Sequence, residues 1–252
     1  MKVLIVFRGG YTRIHPSLLV KNIHDKVYTP LIKNKIEYTP VFYTYPTDTE
    51  ILTVLKEGLA AKHVHFTKEG QIENFIEAVN DISIRYSDYD YIIFLRFEII
   101  YKIDIMNWNI FNRSGLLFPF KENCITLFTA TRQYSDIIIA ISKEYISPLS
   151  IVLNSVDRQE YTNTNTLHNL GFIVERKDID IPVLSMFDGY YQSNTSLALG
   201  DDRLNQLFIM SHYKYNGADR KEFSEYLPSD QDTYPVSYQP RYTPLHNLYK
   251  YV

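Results

Sequence analysis

Cysteine is nearly missing: Cys124 is the only one in 252 residues. A lone thiol excludes an intrachain disulfide and any multi-cysteine zinc site, and it favours a reducing compartment. There is no excess of either charge, since 26 Lys plus Arg stand against 29 Asp plus Glu for a formal net charge of -3. That balance gives no broad attraction to nucleic acid or to an anionic membrane, and leaves room only for a local basic pocket. No apolar run approaches the roughly 18 to 20 residues that cross a bilayer. The opening run Val3 to Phe7 is also too short for a signal-peptide core and is closed by Arg8. A soluble, cytoplasmic protein is expected. The G-x-G-x-x-G and P-loop fingerprints are absent, as are H-E-x-x-H and G-x-S-x-G, so dinucleotide, ATPase, zinc-protease and serine-hydrolase readings have no support. Nor is there a repeat, a flexible Gly/Ser linker or a long charge run to mark a boundary, so residues 1–252 read as one domain.

What is present is a globular composition, 45% hydrophobic and 15% aromatic, sufficient for a substantial core. Val3 to Phe7 is apolar at every position, the pattern of a parallel strand covered on both faces. From Pro16, the positions Leu18, Leu19, Ile23, Val27 and Leu31 share one helical face, with Pro30 expected to kink or end the helix. Ile36 to Tyr45 returns to strand composition. Thr47 to Glu50 matches a capping box ahead of a short helix through Leu55. His63 to Phe66 reads as a weak strand, Gln71 onward as an amphipathic helix, and Tyr91 to Leu95 as another fully apolar strand. Alternation of this kind predicts an α/β fold with a mainly parallel, Rossmann-like sheet flanked by helices. Beyond residue 100, Gly115 to Phe120 and Ile137 to Ile141 read as strands, Lys143 to Asn154 and Thr164 to Leu170 as helices. The Tyr- and Pro-rich stretch 213–252 reads as irregular.

Ligands of open α/β sheets sit beyond the carboxyl ends of the strands, which directs attention to the segments after the two strongest strands. After the first comes Arg8-Gly9-Gly10-Tyr11-Thr12-Arg13. Its glycines permit close backbone approach and its guanidiniums suit phosphate oxygens, so a diphosphate or other anion is one reading and a tight turn with solvated arginines the other. After the second comes Arg96-Phe97-Glu98, where alternation places Arg96 and Glu98 on the same side of an extended chain. Glu98 could hold a hard divalent cation that bridges phosphates, with Arg96 adding neutralisation; a simple Arg96 to Glu98 ion pair is the alternative. Asp136, ahead of the apolar run Ile137 to Ile141, reads as a strand boundary. His63 and His65 share a strand face without the further ligands a zinc site needs. The 22 Tyr and 14 Phe would suit stacking on sugar faces and equally an ordinary core.

Three stretches carry a family resemblance: Ile5-Val6-Phe7-Arg8-Gly9-Gly10, Tyr89 to Ile99, and Asp188-Gly189-Tyr190-Tyr191-Gln192-Ser193-Asn194-Thr195. They resemble glycosyltransferase-like proteins of large DNA viruses of algae and protists, which are similar to GT-A enzymes. The resemblance implies a GT-A-like single domain in which a D-x-D motif after a buried strand binds a nucleotide-sugar diphosphate through Mn²⁺ or Mg²⁺. It implies a nucleotide-binding half over 1–110 and an acceptor half over 111–212. Arg96-Phe97-Glu98 would occupy the D-x-D place, with Arg96 at its first acid and Glu98 at its second. Arg8, Gly9, Gly10, Arg13 and Arg96 would face the diphosphate, Glu98 a divalent ion, and host-cell cytoplasm would be the location of such a viral protein. An inverting transfer also needs a carboxylate to deprotonate the acceptor hydroxyl. Asp188, Asp201 and Asp202 are candidates, and the resemblance favours Asp188.

The function so implied is transfer of a sugar from a nucleotide-diphosphate donor to a glycan or glycoprotein acceptor. A non-catalytic carbohydrate-binding or assembly protein on the same scaffold is the alternative, favoured by Arg96 standing where an acid belongs. A Rossmann-like methyltransferase would need a glycine-rich cofactor loop that residues 8–13 supply poorly.

Overall fold

Each apolar run of the first hundred residues is a strand in the computed structural model of the protein, which describes residues 1–11, 16–46, 49–68, 70–97, 99–101, 103–119, 121–124, 133–156, 167–177, 179–186, 190–193 and 208–210. The order begins β1 (Lys2–Arg8), α1 (Pro16–Ile23), α2 (Thr29–Lys33), β2 (Glu37–Thr44), α3 (Thr49–Gly58), β3 (His63–Phe66), α4 (Gln71–Arg85) and β4 (Tyr91–Arg96). Shorter strands follow: β5 (Ile99–Tyr101), β6 (Leu116–Phe118), β7 (Lys121–Cys124), β8 (Gln133–Tyr134) and β9 (Ile138–Ser142). The remaining elements are α5 (Ile146–Ser155), α6 (Leu170–Arg176), β10 (Val183–Ser185), β11 (Tyr190–Ser193) and β12 (Phe208–Met210).

The main sheet has seven strands in the order β10-β6-β9-β4-β1-β2-β3. It is parallel except for β9, which runs antiparallel to both β4 and β6. Two smaller pairings complete the set, β11-β7-β8 and β12-β5. Helices cover both faces, as the uninterrupted apolar strands require. Along β1, Val3, Ile5 and Phe7 pack into the core shared with α1 to α3, whereas Leu4 and Val6 pack into the core shared with α4, α5 and α6. β4 divides in the same way, Ile93 and Leu95 against Ile92 and Phe94. Arg8 and Arg96 continue the second set, so a period of two points both toward α4. No helix among the described residues is long and apolar enough to cross a membrane.

Three sequence expectations take a more exact form. Ahead of Pro30 the α-helix is interrupted by a π turn over His24–Tyr28, in which the Thr29 N–H donates to the His24 carbonyl, five residues back. This wider turn relieves the clash between a proline ring and the carbonyl four residues earlier, and α2 continues with Pro30 in its first turn. Of the helix expected over 164–170, residues 164–166 lie outside the described residues, and Leu167–Asn169 form a 3-10 turn that leads into α6. Hydrophobic positions Leu170, Ile173 and Val174, all buried, set its true register. The strand expected at 115–120 is limited to β6, and Lys121 begins a different strand in a different sheet. Thr47 and Asp48 of the expected capping box, and the stretch 213–252, lie outside the described residues.

Candidate functional site

β1 and β4 are neighbours, parallel and in register, and their last residues pair: Arg8 lies opposite Arg96. Two guanidiniums of like charge on adjacent strands, directed to one face, repel unless an anion lies between them. Asp136 supplies it. Arg8 Nη2 donates to the Asp136 carbonyl at 2.6 Å and to Oδ2 at 3.3 Å. Arg96 Nη1 reaches Oδ1 at 3.1 Å and Oδ2 at 3.3 Å. The Gln71 side-chain amide, from the first residue of α4, donates to the same Oδ2. The Arg8 guanidinium also lies 5.8 Å from the centre of the Phe75 ring of α4, within cation–π range.

Burial separates the two arginines. Side-chain exposure is 2% for Arg8 and 1% for Asp136, but 13% for Arg96. Arg8 is therefore an interior member of the cluster, and Arg96 is the one that reaches the strand edge. Asp136 does stand at a strand boundary, and beyond that it bridges the two arginines. It precedes β9, and because β9 is antiparallel, with Ile138 opposite Leu95, its amino end lies beside the carboxyl end of β4. An acid ahead of an apolar run was visible in the sequence, but strand direction was not. Gln71 gave no signal beyond its place at a helix start.

The glycine loop borders this cluster. Gly9 has φ +87°, a conformation that side chains disfavour, and nothing lies within 4 Å of a Cβ built on it. Its N–H donates to the Tyr43 carbonyl at 3.2 Å, and its own carbonyl accepts from Thr44 Oγ1 at 2.6 Å. Gly10 is pressed against Tyr45, whose hydroxyl would lie 3.1 Å from an added Cβ. On the opposite face, Phe97 is buried and stacks on Phe7 with centroids 5.6 Å apart, with Phe42 and Tyr11 edge-on to it. The loop thus rests on an aromatic base. Arg13, Glu98 and Asp188, and with them Asp201 and Asp202, lie outside the described residues.

A second cluster sits at β2 and β3. The Tyr43 hydroxyl donates to Asp81 Oδ2 at 2.6 Å, Arg85 Nε lies 2.6 Å from Asp81 Oδ1, and His65 Nδ1 lies 3.9 Å from Oδ2. The His65 ring stacks on Tyr43 with centroids 4.6 Å apart. Burial first, then the Asp81 carboxylate, pushes the Tyr43 phenol far above its ordinary value. Burial also lowers the His65 imidazole, against the opposing pull of Asp81. His63 lies 6.0 Å from His65 between ring centroids. Among the described residues no group of three His, Cys, Asp or Glu side chains is placed to hold a metal ion.

Among the described residues, the donor set at the end of β4 does not fit a divalent cation of the Mg²⁺ or Mn²⁺ kind; Glu98 lies outside them. Such ions take oxygen ligands, whereas Arg96 presents a guanidinium and the adjacent Asp136 carboxylate is occupied by two guanidiniums and an amide.

No protein-family model matches the sequence, and no curated protein matches it. Solved structures do match. A glycosyltransferase involved in glycosylation of the major capsid of PBCV-1 superposes with a TM-score of 0.50 at 8% identity, covering 88% of this chain and 98% of its own. The fold is GT-A-like. Other GT-A-like neighbours include 4-diphosphocytidyl-2C-methyl-D-erythritol synthase from Anaerococcus prevotii (TM-score 0.46, 10% identity, 76% of this chain and 88% of that one). A Drosophila β1,4-galactosyltransferase 7, in complex with manganese, UDP-Gal and xylobiose, also superposes (TM-score 0.41, 11% identity, 74% and 65%). At such identities the likeness is one of fold.

Proposed function

We propose that this protein is a glycosyltransferase that moves a sugar from a nucleotide-diphosphate donor to a glycan or glycoprotein acceptor. The observation that carries the proposal is the in-register pairing of Arg8 with Arg96 at the carboxyl edge of a GT-A-like sheet, beside the Gly9-Gly10 loop. Ligands of open α/β sheets bind at this edge, and a departing diphosphate needs fixed positive charge there. Residues 1–110 form the nucleotide half and 111–212 the acceptor half of one domain. Arg96, Arg13 and the backbone of Gly9 and Gly10 face the diphosphate, with Arg8 acting from beneath through Asp136.

In the reaction the acceptor oxygen bonds to the anomeric carbon as the bond from that carbon to the diphosphate oxygen breaks. Asp188 takes the acceptor proton in an inverting transfer, and the arginines hold the charge that builds on the leaving group. The resemblance assigns Glu98 to a divalent ion, and Arg96 offers a resident cation for the same charge. Thermal denaturation across a panel of nucleotide sugars, with and without Mn²⁺, tests the proposal. A midpoint raised by a few degrees for one nucleotide family supports it, and no response to any nucleotide counts against it.

The second reading is a carbohydrate-binding or assembly protein on the same scaffold. Arg96 committed to an internal ion pair, at a place where the resemblance expects an acid, is the observation that favours it. Release of free nucleotide from the donor separates the two, because a binding protein retains glycan affinity without turnover.

A further inference from the structure

Three segments meet on one buried residue. The Asp136 carbonyl and Oδ2 fasten Arg8 of β1, both carboxylate oxygens fasten Arg96 of β4, and Oδ2 also accepts from Gln71 at the start of α4. A guanidinium on a free stem loses rotamer freedom when it clasps an anion, whereas one already clamped loses little. Arg96 is clamped through Nη1 and, at 13% exposure, is less buried than Arg8 or Asp136. It is a cation whose position is fixed before any ligand arrives. A divalent ion would supply the same charge only with oxygen ligands, and among the described residues the carboxylate beside Arg96, that of Asp136, is already engaged by two guanidiniums and an amide.

We propose that Asp136 is a positioning residue that holds Arg96 as the resident cation for the donor diphosphate, in place of a divalent ion. This rests on the transferase reading above. Arg8 is the anchor: nearly buried and bonded to both the carbonyl and the carboxylate of Asp136, it fixes the loop ahead of β9 so that Asp136 meets Arg96 in one orientation.

The test is calorimetric titration of the full chain with inorganic pyrophosphate in EDTA, and with UDP and GDP in EDTA or Mn²⁺. Pyrophosphate and one nucleotide are expected to bind in EDTA, with the nucleotide's affinity changed less than about threefold by Mn²⁺. Asp136→Asn should weaken binding about tenfold or more, the loss of one charge-assisted contact, and Asp136→Glu should recover part of it. Arg96→Lys leaves the buried carboxylate with a cation and so preserves the fold. It should weaken pyrophosphate about tenfold all the same, because an ammonium lacks the planar, rigid set of N–H donors with which a guanidinium recognises a phosphate. Binding that appears only with Mn²⁺, or an Arg96→Lys protein that binds like the native one, overturns the inference and leaves the transferase reading standing. No binding of any diphosphate in either medium removes both.

Discussion

Two aspartates, Asp136 and Asp81, each hold an arginine at the sheet, and they live in different solvents. Asp136 is 1% exposed between Arg8 and Arg96, which come from different strands, whereas Asp81 is 24% exposed and its Arg85 partner, one helical turn away, is 60% exposed. A surface pair one turn apart is screened by water and contributes little. A buried carboxylate between two guanidiniums is a costly arrangement whose removal leaves charge stranded, so its presence at a strand edge argues for a task beyond stability. In the transferase reading proposed above, that task is to meet the donor diphosphate at the carboxyl end of β1 and β4.

The contrast can be broken by removing each acid in turn. Asp136→Asn should lower unfolding free energy by about 3–5 kcal/mol, measured by urea denaturation, because the interior Arg8 guanidinium and the partly buried Arg96 lose their anion. A loss no greater than that of Asp81→Asn would erase the difference. Gly9→Ala beside the buried cluster should cost about 1–2 kcal/mol in the same assay. The added methyl meets no atom within 4 Å, so the effect is the backbone penalty at φ +87° alone. Tyr43→Phe removes one hydrogen bond to Asp81 from the second cluster and should cost about 1 kcal/mol.

The smallest effect concerns pH. Burial makes the folded His65 imidazole protonate at lower pH than in the unfolded chain. The unfolded chain therefore takes the proton first as pH falls. Stability attached to His65 is complete above the ordinary histidine value near roughly 6.5 and declines below it. Urea midpoints at pH 7.5 and 5.5 should fall further for the native protein than for His65→Gln; equal falls would show that His65 does not report its burial.

The first half of the sheet was legible because buried parallel strands are apolar at every position, and Val3 to Phe7 and Tyr91 to Leu95 carry that signature without interruption. Three-residue strands such as β5 and β10 carry too few positions to show a period and gave no signal, whereas β6 lies within the strand expected over Gly115 to Phe120. Arg8 and Arg96 could be singled out because charge closes each strand. Their pairing also follows from parity once the strands are adjacent. Asp136 was hidden by direction: its role depends on β9 running antiparallel, which an apolar run of either polarity would spell in the same way. Pro30 marked an interruption of the helix, but not its form, a π turn that lets α2 carry on past the proline.

The most direct test of the central claim is a crystal structure with UDP or GDP bound. The account predicts the diphosphate against Arg96 and the Gly9-Gly10 backbone, with Asp136 still bridging Arg8 and Arg96. A nucleotide bound away from the carboxyl ends of β1 and β4, or one that draws Arg96 off Asp136 in order to bind, would contradict it.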